Sequence, residues 1–298
     1  MNVRVVEVGP RDGLQNEPRP IPTEAKVRFV DALSDAGCPE IEVSAFVSPE
    51  RVPQLQDAEE VFARIRRRPD TVYSALVPNE RGLERALTAR AGKVAVFTAS
   101  SETFNRRNVN ASIAESIQRF VPVVAGARQA SLKVRGYVST AFWCPYEGRI
   151  EPPAVVRVAR ELLELGVDEI SIGDTIGKAV PSEVHALLDA LLDHVAQDRL
   201  AMHFHDTYGT AVANALASYE RGIAIFDSSA GGVGGCPFAP GAAGNVATED
   251  LVWALTRSGA SVPVDLERLR AASDLLASAL GRPLRSRVRE ALSGINPA

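Results

Sequence analysis

Residues 169–206 read EISIGDTIGKAVPSEVHALLDALLDHVAQDRLAMHFHD. Two short runs, EISIGDT (169–175) and LAMHFHD (200–206), enclose an amphipathic stretch from Pro181 to His194. Short β-branched or apolar runs read as strands, and an apolar stripe at helical spacing reads as a helix. Proline is tolerated in a helix's first turn, where its missing N–H has no partner to lose. The segment is therefore one strand–helix–strand unit.

The same unit recurs along the chain. The other runs are VRVVEVG (3–9), EIEVSA (40–45), TVYSALV (71–77), KVAVFTA (93–99), SLKVRGYVSTA (131–141) and IAIFDSSA (223–230), which makes eight in all. Helical stretches fall between them, as at Thr23 to Ala36, Pro152 to Leu165 and Thr210 to Arg221. Gly37, Gly92, Gly166 and Gly222 stand where a helix would end in the left-handed conformation that glycine tolerates. Eight such units predict an α/β protein with a (β/α)8 TIM barrel over residues 1–257; a doubly wound open sheet is the competing architecture. Residues 258–298 hold two expected helices, Leu266 to Leu280 and Ser286 to Leu292, too little for a second domain and read as a helical cap on the barrel.

Composition narrows the function. A net charge of −4 supplies no broad positive field, so nucleic acid is not an expected partner, and RIRRRP (64–69) reads as a solvated helix end. No window approaches eighteen apolar residues, which predicts no membrane span. The N-terminus lacks the basic start and apolar run of a signal peptide. Three scattered cysteines make no disulfide framework and fit a reducing cytoplasmic setting.

In a barrel, chemistry belongs at the C-terminal ends of the strands. Polar residues gather there: Arg11 and Asp12 after the first run, Glu42 in the second, Arg135 and Tyr137 in the fifth, Asp174 in the sixth, His203 and His205 in the seventh. Side chains on a strand alternate, so both imidazoles face one side and Phe204 the other. They form half a metal site, unless one is a hydrogen-bonded core residue and the other lies at the surface. Asp12 and Asn245 could add oxygen donors and leave open positions on an octahedral ion. The loop AGGVGGCPFAPGAAGN (230–245) has no phosphate-binding fingerprint, and its glycines could carry Cys236 over a bound substrate. Cys38 reads as structural, Cys144 as shaping its loop, His185 and His194 as surface residues, and Asp206 as a residue that could orient an imidazole.

Seven segments in order carry a family resemblance: GPRDGLQNE (9–17), SAFVSPERVPQ (44–54), VRGYVS (134–139), CPYEG (144–148), GDTIG (173–177), HFHDTYG (203–209) and GGCPFAPGAAGN (234–245). They resemble the hydroxymethylglutaryl-CoA lyase family of TIM-barrel metallolyases. The resemblance implies Asp12, His203, His205 and Asn245 as ligands of Mg²⁺ or Mn²⁺. It implies Arg11, Glu42 and Asp174 as catalytic and Cys236 as the loop cysteine; for the implied cleavage we expect Asp174 or His203 as the base, which makes His203 catalytic too, and Cys236 as the acid. Arg11, Gln15, Arg135 and Tyr137 would meet the substrate, and Asn108 the CoA portion. It further implies a homodimer that cleaves 3-hydroxy-3-methylglutaryl-CoA to acetoacetate and acetyl-CoA. Pro18, Ala45, the pair Phe142–Trp143 and Phe204 depart from the family pattern and leave open a pocket for a differently branched 3-hydroxy-3-alkylglutaryl-CoA. A Claisen-type acyltransferase and a non-catalytic barrel that only binds a ligand are the further alternatives.

Overall fold

The computed structural model describes residues 1–235 and 244–294. Eight parallel strands close into a barrel: β1 (Arg4–Glu7), β2 (Glu40–Ala45), β3 (Val72–Leu76), β4 (Lys93–Ala99), β5 (Lys133–Ser139), β6 (Glu169–Asp174), β7 (Leu200–Phe204) and β8 (Ile225–Ser228). Each pairs with its neighbours in sequence, and β1 pairs with β8 from Arg4 opposite Ile225 to Glu7 opposite Ser228. That last ladder is what an open sheet would lack.

Around the strands run α1 (Thr23–Asp35), α2 (Ala58–Arg64), α3 (Glu80–Thr88), α4 (Glu102–Val109), α5 (Ile113–Gln129), α6 (Pro152–Leu165), α7 (Pro181–Leu192), α8 (Ala211–Glu220) and α9 (Thr248–Arg257). The helices α10 (Leu266–Leu280) and α11 (Arg287–Gly294) follow, α10 against α1 and α9, and α11 against α9. Gly37, Gly166 and Gly222 take the left-handed conformation, but Gly92 does not. At that helix end Arg90 is the left-handed residue, with φ 58°. A short antiparallel pair, Trp143–Cys144 with Gly148–Arg149, follows β5. None of the described helices is long and apolar enough to cross a membrane.

Strand alternation divides the protein into two cores. Helix-facing side chains such as Val5, Ile41, Val94 and Ile170 build the apolar layer between barrel and helices. The barrel interior is different, because much of it is charged. Lys93 Nζ lies 3.0 Å from Glu169 and 3.1 Å from Glu40, and Arg4 reaches both carboxylates from one end of the barrel. Arg135, 1 % exposed, meets Asp227 at 2.6 Å and Glu169 at 3.3 Å. Three cations thus face three carboxylates. Buried charges persist only when paired, since removing one partner of such a pair costs about 3–5 kcal/mol.

Glu7 has the opposite orientation. Its carboxylate is buried and accepts the N–H groups of Gly9 and Ala230, with the Thr248 hydroxyl 2.6 Å away. Burial outweighs these bonds and pushes its pKa up from 4.5 to about 7. The folded chain therefore keeps a proton that the unfolded chain releases, and Glu7's contribution to stability declines as pH rises from 4.5 to about 7. Glu7→Gln retains an accepting oxygen and gains an N–H toward Thr248. Urea denaturation across this window should show the variant losing less stability than the parent chain as pH rises. Parallel profiles would remove Glu7 from the titration.

Candidate active site

The end of β1 sets the geometry. The N–H groups of Arg11, Asp12 and Gly13 converge on the Val8 carbonyl at 3.1, 2.7 and 3.2 Å, winding Gly9–Gly13 into one wide turn. A Cβ at Gly9 would lie 2.6 Å from Glu7 Oε1, so the turn needs glycine at its root. The turn carries Arg11 and Asp12 over the barrel mouth. One strand beyond β8, β7 and the residue after it bring His203 and His205 to the mouth with ring centroids 5.2 Å apart, while Phe204 faces outward against Phe142. Asn245 bridges to His205 from the segment after β8.

Asp12, His203 and His205 each bring one donor atom within 4.8 Å of the others, a cluster that could hold a metal ion. Asn245 is pinned by its nitrogen, which donates to Asp12 Oδ2 at 2.9 Å and the Val233 carbonyl at 3.2 Å. Its Oδ1 is left buried without a partner, and so is Nδ1 of His205. Idle buried donors and acceptors are costly in a protein interior, and an oxygen left idle beside a carboxylate and two imidazoles is what a hard cation would take up. A Cβ at Gly234 would lie 2.6 Å from the Asn245 nitrogen, which ties that glycine to the amide's placement.

Electrostatics agree with a cation site. Burial works against the Asp12 carboxylate, but Arg11 and the two imidazoles hold its pKa below the usual value. Burial, then its neighbour His203, pushes His205 down to about 4, so it is a neutral donor at neutral pH. His203 is pushed the other way despite its burial, because Asp227 Oδ2 sits 3.1 Å from Nδ1. Arg11 is held by Glu42 at 2.5 Å and Asp12 at 2.6 Å, and burial does not prevent its pKa from rising. One guanidinium between two carboxylates leaves the mouth short of positive charge.

The remaining expected residues divide by position. Tyr137 donates its hydroxyl to Glu42 at 3.2 Å, and its ring lies between the Arg11 and Arg135 guanidiniums, 5.3 and 5.0 Å away. Gln15 and Asn108 line the cavity, Gln15 with its amide 3.4 Å from Asp12. Arg135 lies one layer beneath the cavity, in the interior charge network. Asp174 is fully buried, and its oxygens accept the N–H groups of Lys178 and Ala179. Ser171 on the same strand bonds Asp227 inside the barrel, so Asp174, at the opposite parity, belongs to the helix-facing layer. Burial raises its pKa to about 7. Cys236 lies outside the described residues.

Asp206 does not orient an imidazole; it accepts the Ala211 N–H at the start of α8. That role falls to Asp227, which sequence reading missed although it stands on the strand next to His203 and in register with it. Of the four departures from the family pattern, Phe142 and Phe204 pack together behind the barrel. Trp143 donates to Glu183 under Lys178, and Pro18 is exposed. Ala45 alone sits in the inner cluster with Leu76 and Tyr137 beneath the cavity.

The cluster opens into a cavity of about 810 Å³. Its wall is apolar at Val47, Leu76 and Phe97, while Arg51 and Arg119 add positive charge.

Residues 2–276 match the HMGL-like family. The chain belongs to that family. It is 51% identical over 97% of both chains to a 3-hydroxy-3-isohexenylglutaryl-CoA/hydroxymethylglutaryl-CoA lyase of Pseudomonas aeruginosa. It is 50% identical to the mitochondrial hydroxymethylglutaryl-CoA lyase of Rattus norvegicus, over 97% of this chain and 89% of that one. The crystal structure of a P. aeruginosa hydroxymethylglutaryl-CoA lyase superposes with a TM-score of 0.96 at 50% identity, covering 98% of this chain and 97% of that one. An HMG-CoA lyase of Acinetobacter baumannii, solved with coenzyme A and 3-methylmalate, superposes with a TM-score of 0.94 at 38% identity, covering 100% and 98%.

For this HMGL-like chain, Mn²⁺ binding followed by electron paramagnetic resonance should weaken by roughly tenfold or more in Asn245→Ala and further in His205→Ala. Affinity unchanged in both would show that the ion, if bound, sits elsewhere.

Proposed function

We propose that the chain is a divalent-metal-dependent lyase that cleaves 3-hydroxy-3-methylglutaryl-CoA to acetoacetate and acetyl-CoA. The observation that carries the reading is the Asp12–His203–His205 cluster beside Arg11 at the inner end of the cavity. Asp12, His203, His205 and Asn245 would hold Mg²⁺ or Mn²⁺. Bound there, the ion supplies Lewis acidity that polarises substrate oxygens and lowers a hydroxyl pKa.

The chain's own groups do the rest. The tertiary hydroxyl gives up its proton, the C2–C3 bond breaks, and the bonding pair moves onto the thioester carbonyl. The hydroxyl carbon becomes the ketone of acetoacetate. Arg11, kept cationic and aimed by Glu42 and Asp12, meets the enolate oxygen where its charge develops. Of the two expected bases, His203 lines the cavity and would take the hydroxyl proton on Nε2 when that nitrogen is not itself an ion's donor, whereas the Asp174 carboxylate is engaged with backbone amides. Asp174 then acts by positioning the 175–179 segment. Protonation at C2 yields acetyl-CoA, and Cys236 is assigned as the donor from sequence. A thiol of ordinary pKa, about 8.5, holds its proton at neutral pH.

A second reading, cleavage of longer branched 3-hydroxy-3-alkylglutaryl-CoA esters, is favoured by the apolar cavity wall and by the name of the P. aeruginosa relative.

Purified protein with Mn²⁺ should release acetoacetate and acetyl-CoA from the methyl substrate, and EDTA should abolish release. Cleavage of an isohexenyl analogue alone would transfer the assignment to the second reading, and cleavage of neither would sink both. Arg11→Lys replaces a planar fork with a compact ammonium that cannot span Glu42, Asp12 and an enolate at once, and Cys236→Ala removes the donor. Each should lower kcat by roughly 10²-fold or more with folding intact. An unchanged rate would exclude that residue from the chemistry.

A further inference from the structure

The imidazole of His203 is the end of a chain of contacts that begins deep in the barrel. Its Nδ1 lies 3.1 Å from Asp227 Oδ2, which also accepts the Ser171 hydroxyl at 2.8 Å. Asp227 Oδ1 accepts Arg135 Nη2 at 2.6 Å. Asp227 is 2 % exposed and Arg135 1 %, so neither has water as an alternative partner. Arg135 Nε in turn forms an ion pair with Glu169 at 3.3 Å, without a hydrogen bond, and the guanidinium lies over the face of Tyr137. With Arg135 on one oxygen and Ser171 on the other, the Asp227 carboxylate is held facing His203.

We propose that Asp227, locked by Arg135 and Ser171, is the positioning residue that fixes His203 as its Nδ1–H tautomer and leaves the Nε2 lone pair for the reaction centre. A carboxylate is an acceptor only, so the ring nitrogen facing it must carry the hydrogen. Arg135 Nη2 donates to one oxygen of Asp227 and the Ser171 hydroxyl to the other, contacts that call for an acceptor at both. The free lone pair matters whether His203 serves as an ion's donor or as a base, because either role requires an unprotonated Nε2. Arg135, placed by sequence among the substrate contacts, here acts two residues removed from substrate.

The inference rests on the reading of Asp12, His203 and His205 as an ion's donors, and the test separates the two. Asp227→Asn is isosteric but carries a donor. Arg135 demands the amide oxygen, which turns the amide N–H toward His203 and forces the ring to become an acceptor at Nδ1. Long-range ¹H–¹⁵N spectra of the EDTA-treated protein, recorded at rising pH until the His203 ring is neutral, report the tautomer directly. The chain has four histidines, and the His203 signals are those lost in His203→Gln. The parent chain should show Nδ1–H and Asp227→Asn should show Nε2–H, with Mn²⁺ affinity lowered roughly 10- to 100-fold. Ser171→Ala should keep the parent tautomer.

An Nε2–H signal in the parent chain overturns the proposal, whatever the variants do. So does a folded Asp227→Asn that keeps the parent tautomer, or one that switches it with no loss of Mn²⁺ affinity. Should the parent chain bind no Mn²⁺, the metal reading fails, and the spectra still decide what Asp227 does to His203.

Discussion

A column of paired charge runs up the inside of this barrel, and the site at its mouth depends on it. Arg4, Lys93 and Arg135 alternate with Glu40, Glu169 and Asp227 at the lower levels. Tyr137 then couples this set to the upper one, because its ring lies between Arg135 below and Arg11 above. Ionic groups at this depth are retained at a desolvation cost that apolar side chains would not incur. What they supply is direction. Each guanidinium is a planar fork that fixes the carboxylates it meets, and those carboxylates fix Arg11 and His203 in turn.

The balance of charge changes along the column. The lower set is neutral, three against three. At the mouth Arg11 faces Asp12 and Glu42 and His205 is neutral, so by formal charge one carboxylate is in excess, an excess reduced by the burial that raises Glu42 and by the Asp227 contact that favours charge on His203. A divalent cation would correct that excess, and the idle oxygen of Asn245 offers it another neutral donor.

Much of this was legible in the sequence because it follows from period. Eight β-branched runs separated by helical stretches define the barrel, and β2 and β4 begin and end where their runs do. The alternation of His203, Phe204 and His205 is a local rule that tertiary packing does not overturn. Asp174 was misplaced by attending to its nearness to the strand end and not to its parity, since Ser171 and Asp174 cannot share a face. The role of Asp227 was out of reach for a different reason. It depends on lateral register between β7 and β8, which the strands' own patterns do not specify, and on a buried partner from β5. The departures at Phe142, Trp143 and Phe204 looked like pocket residues for want of the same lateral information.

Parity also divides the buried carboxylates by task. Those on the inner parity, Glu40, Glu42, Glu169 and Asp227, meet side-chain cations and the imidazole. Those outside the barrel lumen hold backbone: Glu7 takes the N–H groups of Gly9 and Ala230, Asp174 those of Lys178 and Ala179, and Glu249, on α9, that of Gly231. The roots of the turns after β1, β6 and β8 are thus each fastened by a carboxylate in the layer behind the strands. Burial raises Glu7 and Asp174, whose partners are backbone amides and a hydroxyl, and raises Glu42 as well despite its neighbours Arg11 and Arg135, whereas the arginine and lysine around Glu169 and Asp227 hold those two low. The loops of the site can therefore be held firmly without adding charge to its interior. The two sets of acids can be altered separately, one acting on the fold of the loops and the other on the field at the reaction centre.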